Sequence, residues 1–460
     1  MKAPPQRITL AEWDARYTAL HAAGLCEPAY GGPLRRHVED GDTRLQHLRY
    51  DNSAAALRLW NFLLTEEQRL HAARAAGHWI VGAMKDLGTV PVMAYALPRV
   101  TAFYPDGAWW IPCIMEDNTR LTQIADRLGI NESFCPVRAM LGAFMTREHF
   151  PIPDLLVCST GAVCDDFSAI AQRLEALGFP ILWWEMPARR RPDHGEEAVS
   201  LPGGAQAPRS QVDLVQAELE RLRLALSEMT GEPLTDERVA AGIREANRAR
   251  QVLAQLRQLA FTAPLCPLPA LELQIAEMLI LHFCSDREES IRVLDDLLVE
   301  VRRRIAADAG LLRPDAVRVF WVNPVADLTA MNLLEDCGGR LCGTDFLFLH
   351  ALDPIAEDLP PMQALARTAL ADPMVGPSAA RAERIGAEIR RLGCEAVVIS
   401  RIPGASHCAL EGTIIREHIV EQLGLPVVEF EVPPLSDGVA PGLRTRLGAL
   451  VETAIARRNR

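Results

Sequence analysis

The sequence predicts an α/β protein: two parallel-sheet domains, an N-terminal helical cap and a helical insertion between the domains. Three observations carry this. Short apolar runs alternate with amphipathic stretches of about a dozen residues in two separate parts of the chain, an almost wholly helical period fills the part between them, and the start of the chain is also helical by period. The expected boundaries are 1–75 for the cap, 76–205 for the first α/β domain, 206–312 for the insertion and 313–460 for the second α/β domain.

In the cap, ITLAEWDARYTALHAAG and SAAALRLWNFLLTEEQRLHAARAAG repeat apolar residues at three-to-four spacing. In the first α/β domain, PVMAY and PDLLVCS read as strands, DDFSAIAQRLEALG as a helix ending at Gly178, and FPILWWEMP as the next strand. A strand, a helix and a second strand imply parallel pairing. Trp109 with Trp110, and Trp183 with Trp184, read as core packing. HGEEAVSLPGGAQAPRS is rich in Gly, Pro and charge and reads as a surface connection. QVDLVQAELERLRLALSEMTG, TDERVAAGIREANRARQVLAQLRQLA and REESIRVLDDLLVEVRRRIAA then carry the helical insertion. The second α/β domain opens at AVRVFWVN, passes through NLLEDCGGRLCGTDFLFL, and closes with CEAVVISRI, the helix TIIREHIVEQLG and the strand LPVVEFEV. The two α/β halves have the look of a distant duplication.

Bulk properties exclude several classes. The net charge of −12 argues against a wide nucleic-acid surface, which needs clustered Lys and Arg facing phosphate. The first residues contain no apolar core of signal-peptide length, and no stretch of about 18 residues lacks charge, so a soluble cytoplasmic protein without membrane contact is expected. Eleven cysteines form an odd, scattered set, which fits reduced thiols better than a disulfide framework. Cys26, Cys266, Cys284 and Cys394 stand in apolar or helical surroundings and read as packed core thiols.

There is no GxxxxGK[ST] loop, GxGxxG fingerprint, HExxH helix or GxSxG elbow, so nucleotide hydrolysis and serine-type acyl transfer are poorly supported. The cysteines remain. Cys135, Cys164 and Cys408 are each expected where a short apolar strand gives way to a helix, a place that lowers a thiol's pKa and suits a soft metal. Zinc sites usually bring their ligands in close pairs, and the nearest pairs, Cys158 with Cys164 and Cys337 with Cys342, are too loosely spaced. Single cysteines from three distant loops suit a cluster in a cleft between domains.

NESFCPVRAMLGAF, the segment from PDLLVCSTGAVCDDF to FPILWWEMP, TGEPLTDERVAAGIREANRAR, and the stretch from EAVVISRIPGASHCALEG to LRTRLGALVE resemble the large subunits of 2-hydroxyacyl-CoA dehydratases and benzoyl-CoA reductases. The resemblance implies two Rossmann- or flavodoxin-like domains around the cleft. It also implies one [4Fe–4S] cluster held by Cys135, Cys164 and Cys408, with the fourth iron open. The implied chemistry is dehydration of a 2-hydroxyacyl-CoA through a ketyl radical anion, the alternative being reduction of an aryl-CoA. An electron-relay subunit and a double-cubane cluster protein, the latter recruiting thiols such as Cys337 and Cys342, are further alternatives within the family. The implied partners are a CoA-thioester substrate, a related second subunit in a heterodimer and a separate ATP-dependent activator.

Around these cysteines, His407, Ser406 and Glu411 are candidate catalytic residues on the third cysteine loop. Arg138, one turn beyond Cys135, and Arg190, in the run Arg189–Arg191 after a strand end, are candidate contacts for CoA phosphates. Cys158 competes with Cys164 for the second ligand position, and the Asp165–Asp166 pair at the following helix start favours Cys164. The family commonly carries an Arg or Asn-Arg-Ser stretch where this chain has PGASH.

Overall fold

A computed structural model describes residues 4–24, 32–84, 86–107, 119–282, 285–346, 349, 352–405, 411–434 and 437–460. The chain begins with a short antiparallel ribbon of β1 (Arg7–Ile8) and β2 (Tyr50–Asp51), between which lies helix α1 (Leu10–Ala22). Helices α2 (Ala54–Leu64) and α3 (Glu66–Ala75) follow. Ser53 caps α2 by accepting the Ala56 N–H at 3.2 Å, and almost every side chain of α2 is buried.

The first sheet is formed by β3 (Trp79–Met84), β4 (Val100–Phe103), β5 (Leu155–Gly161) and β6 (Ile181–Met186) in the order β4-β3-β5-β6, all parallel. The expected strand PVMAY is instead helix α4 (Val90–Tyr95), and β3 and β4 flank it. The cause is local. The Asp86 carboxylate accepts the Thr89 N–H at 2.9 Å and the Val90 N–H at 3.3 Å, and Pro91 stands in the first turn, where its missing N–H costs nothing. After α5 (Thr119–Arg127) and α6 (Ala139–Thr146), helix α7 (Asp165–Ala176) joins β5 to β6 and ends before Gly178 at φ +93°. The connection at 194–210 contains a small antiparallel ribbon, β7 (Ala198–Ser200) with β8 (Gln206–Pro208).

Four helices fill the middle of the chain: α8 (Arg209–Thr230), α9 (Asp236–Thr262), α10 (Ala270–His282) and α11 (Arg287–Ala306). They pack on both sheets, since α8 lies against β6 and α9 against both α4 and the second sheet. Arg304 of α11 grips the Asp51 carboxylate of the N-terminal ribbon with two bonds of 2.5 and 2.8 Å in a fully buried pair.

The second sheet is formed by β9 (Val317–Val322), β10 (Gly339–Asp345), β11 (Ala396–Arg401) and β12 (Val427–Glu431), ordered β10-β9-β11-β12 and again all parallel. Its central strands are near-continuous apolar runs because both faces are covered. Helices α12 (Thr329–Asp336), α13 (Pro361–Ala371), α14 (Ser378–Leu392), α15 (Gly412–Leu423) and α16 (Ala440–Arg458) complete this half. The order second-first-third-fourth is identical in the two sheets. In each, the chain reverses its direction of travel between the first and third strands, and the crevice at their carboxyl ends is where an open α/β sheet binds ligands.

Candidate metal centre

Cys164 lies at this switch point in the first sheet. Gly161, at φ +95°, ends β5 so close to β6 that a Cβ there would come 2.3 Å from the Met186 carbonyl oxygen, and the chain then turns to present Cys164 as the N-cap of α7.

Cys135 arrives by a different route from the one the sequence suggests. Among the described residues, no strand leads directly into it. The segment before it is α5 and a turn in which Asn131 accepts the Ser133 and Phe134 N–H groups at 3.0 Å, and the segment after it is a 3₁₀ turn, Pro136–Arg138. A buried carboxylate joins the backbone of one cysteine to the thiol of the other: Asp166 accepts the Cys135 N–H at 3.4 Å with one oxygen, and its other oxygen lies 3.8 Å from Cys164 Sγ. Both cysteines are half-buried.

Cys408, with Ser406 and His407, lies outside the described residues, and both ends of its loop are in place. On the near side, Gly404 adopts φ +80° and sits against the Cys135 loop so tightly that a Cβ would fall 2.4 Å from the Phe134 carbonyl oxygen. Gly404 is four residues before Cys408, and Phe134 is the neighbour of Cys135. The third cysteine loop therefore runs out from a contact with the first. On the far side, Glu411 is anchored before α15: one oxygen accepts the Ser378 hydroxyl at 3.0 Å and the other accepts Arg381 at 2.5 Å.

Arg381 is fully buried. It also donates to the Asp345 carboxylate at 2.7 Å and to the Asn323 side-chain oxygen at 2.9 Å, so it ties the ends of β9 and β10 to the start of α15. Burial opposes its charge, but Asp345 and Glu411 overcome this and hold the guanidinium above its ordinary range. Asn323 has φ +68°, and its amide donates to the Ser400 carbonyl at 3.1 Å. The carboxyl edge of the second sheet is thus one closed polar network.

A family model described as 2-hydroxyglutaryl-CoA dehydratase, D-component, matches residues 93–454. The chain belongs to this family. It is a component of 2-hydroxyacyl-CoA dehydratase type, and Cys135, Cys164 and Cys408 all fall within the matched span. A search of curated proteins finds no match. No helix among the described residues is long and apolar enough to cross a membrane.

The remaining candidates in this family member fall into distinct places. Cys158 is fully buried in β5, beside Met84 and Trp183 of the neighbouring strands, whereas Cys164 is half-buried at the N-cap of α7. Cys337 precedes β10 and donates to the Arg444 carbonyl at 3.5 Å, while Cys342 is buried inside that strand. A seven-residue strand spans roughly 20 Å, so Cys337 stands at the edge opposite Asp345 and Arg381. Burial pushes the Cys266 thiol up to about 12 and raises those of Cys342 and Cys394, which marks them as inert packing groups. Among the described residues, no three His, Cys, Asp or Glu side chains close on one metal position, Cys408 being outside that set.

Arg138 turns back on its own loop, 3.4 Å from the Phe134 carbonyl oxygen and 3.5 Å from Asp126. Arg190 is exposed and holds Glu196 with bonds of 2.5 and 2.6 Å, which keeps that carboxyl down at about 2. Trp184 is core, and Trp183 is half-buried with its indole N–H on Glu175 at 3.1 Å; Trp109 and Trp110 lie outside the described residues. Sequence reasoning singled out neither Arg381 nor Gly404. Arg381 does have a signal, because it occupies the apolar stripe of α14 completed by Ile385, Ile389 and Leu392, where a charge requires a buried partner.

Proposed function

We propose that the chain is the iron–sulfur subunit of a 2-hydroxyacyl-CoA dehydratase, with Cys135, Cys164 and Cys408 each ligating one iron of a [4Fe–4S] cluster and the fourth iron open to substrate. One observation supports this above the others: Cys135 and Cys164 meet at Asp166 while the loop leading to Cys408 packs on Phe134 through Gly404. An all-thiol donor set, delivered singly from three loops, fits such a cluster better than zinc. When bound, the cluster would supply one low-potential electron to the thioester carbonyl and recover it, so that the neighbouring hydroxyl leaves from a ketyl radical anion.

The chain's own groups do the rest. The start of α7 presents Cys164, and Asp166 fixes the backbone of the Cys135 loop relative to it. Glu411, with one oxygen on Ser378 and the other on Arg381, positions the Cys408 loop. His407 remains the candidate proton donor beside the cluster. The family match favours dehydration over aryl reduction. A related second subunit completes the enzyme, and a separate ATP-dependent activator delivers the electron, because the chain has no phosphate loop of its own.

Anaerobic purification with the partner subunit is the test. The expected product is brown, contains iron and acid-labile sulfide, and shows a cluster EPR signal that a 2-hydroxyacyl-CoA perturbs. A colourless protein whose stability depends on zinc would overturn the assignment.

A further inference from the structure

A groove of about 970 Å³ runs between the segment that follows β6 and helix α14, where the two α/β halves meet. Its volume is that of a site for a nucleotide-sized ligand rather than a single small anion. Five arginines line it, Arg189, Arg190, Arg191, Arg381 and Arg384, against one acidic residue, Glu383, in a chain whose net charge is −12. Three of the five are already neutralised: Arg190 by Asp193 and Glu196, Arg381 by Asp345 and Glu411, and Arg384 by Asp353 at 2.9 Å.

Arg189 and Arg191 differ. Among the described residues, neither makes an ion pair with a carboxylate. Arg189 is buried, and its guanidinium donates to the Leu370 carbonyl at 2.6 Å while its backbone N–H donates to the Val375 carbonyl at 2.6 Å. Burial, helped by the Arg384 charge, lowers its pKa, and the Asp372 carboxylate offsets this only in part. Arg191 is exposed on the same wall. Opposite them, Pro377 precedes the 15-residue helix α14 without a side-chain cap; its carbonyl accepts the Ala380 N–H at 3.0 Å, which leaves the Ser378 and Ala379 N–H groups at the open end of the helix. The Pro202–Gly204 turn, also on the rim, keeps the entrance free of bulky side chains.

We propose that this groove binds the phosphate-bearing nucleotide end of a CoA thioester, with Arg189, Arg191 and the first turn of α14 meeting the phosphates. The proposal rests on the CoA-thioester reading above and locates its anionic end. Arg190 is not the phosphate contact, since Glu196 occupies its guanidinium. Helix α14, which forms the groove wall, also carries Arg381, and Arg381 holds Glu411 at the end of the Cys408 loop.

Calorimetric titration of the full chain with adenosine 3′,5′-bisphosphate, CoA, ATP and inorganic pyrophosphate tests this without turnover. The bisphosphate and CoA should bind and compete. Arg191→Glu and Ala380→Glu should each weaken both at least tenfold, and the weakening should shrink as salt rises. Ala380 is exposed in the first turn of α14, where a glutamate suits the helix, so loss of fold does not confound the result. Unchanged affinity in both variants, or pyrophosphate and ATP binding as tightly as the bisphosphate, would overturn the proposal. If CoA binds in the groove but no 2-hydroxyacyl-CoA is dehydrated, the groove assignment stands and the catalytic reading fails. Dehydration with an unchanged KM in Arg191→Glu leaves the catalytic reading and removes the groove.

Discussion

The two sheets share a strand order, β4-β3-β5-β6 and β10-β9-β11-β12, but their carboxyl edges are built from different chemistry. At the first edge two half-buried cysteines stand beside one buried carboxylate, Asp166. At the second edge Arg381, Asp345, Asn323, Glu411 and Ser400 form a buried network in which each charge has a partner. One topology thus carries different chemistry at the same edge: cysteines beside a carboxylate in the first sheet, and a buried arginine–carboxylate network in the second.

The largest expected effect lies at the first edge. Cys164→Ser should abolish cluster content and activity with the fold retained, while Cys158→Ser should leave iron content intact and lower only stability, since its side chain is buried in β5. Iron analysis and thermal melts of both variants check this, and the reverse pattern would exchange their roles. At the second edge, Arg381→Met strands Asp345 and Glu411 without their cation and should cost on the order of 3–5 kcal/mol by denaturant unfolding. It should also reduce cluster occupancy through the Cys408 loop. A variant that is destabilised yet fully loaded with iron would show that the second edge serves the fold alone.

The smallest effect provides a reference away from both edges. Glu272 of α10 accepts the Asp51 N–H at 2.9 Å and the Trp60 indole N–H at 3.2 Å, and burial, aided by the Asp51 charge, lifts its carboxyl to about 8. The folded chain therefore binds a proton that the unfolded chain releases above about pH 4.5, so this contribution to stability is fully present at lower pH and is lost as pH rises through about 8. Glu272→Gln keeps the acceptor oxygen and removes the titration. Its melting temperature should match the wild type near pH 5 and exceed it at pH 8.5, with cluster content unchanged at both. Equal melting temperatures at pH 8.5 would mean that Glu272 is ionised without cost.

Much of this was legible in the sequence. The strands at 155–161, 317–322, 396–401 and 427–431 and the helix at 165–176 follow their apolar patterns, and that helix starts at Asp165–Asp166 as expected, with Cys164 as its N-cap. PVMAY was read as a strand because its composition suits one; the Asp86 cap and Pro91, which are turn chemistry rather than periodicity, make it a helix. β3 and β4 went unnoticed on either side of it.

Local pattern and composition determined the two α/β units, the helices between them and the isolated cysteines, because strand and helix periods and cap residues act over a few positions of chain. Tertiary structure alone decided that Asp166 would join Cys135 to Cys164, that Arg381 would root the Cys408 loop, and that Arg190 would be spent on Glu196 while Arg189 and Arg191 face a groove. Those pairings are made by side chains that meet in space, and no periodicity encodes which charge meets which. Gly404 shows the reason most simply: its neighbours PGASH look like any turn, and the need for a glycine appears only when the Phe134 carbonyl arrives from a segment some 270 residues earlier to occupy the space of a side chain.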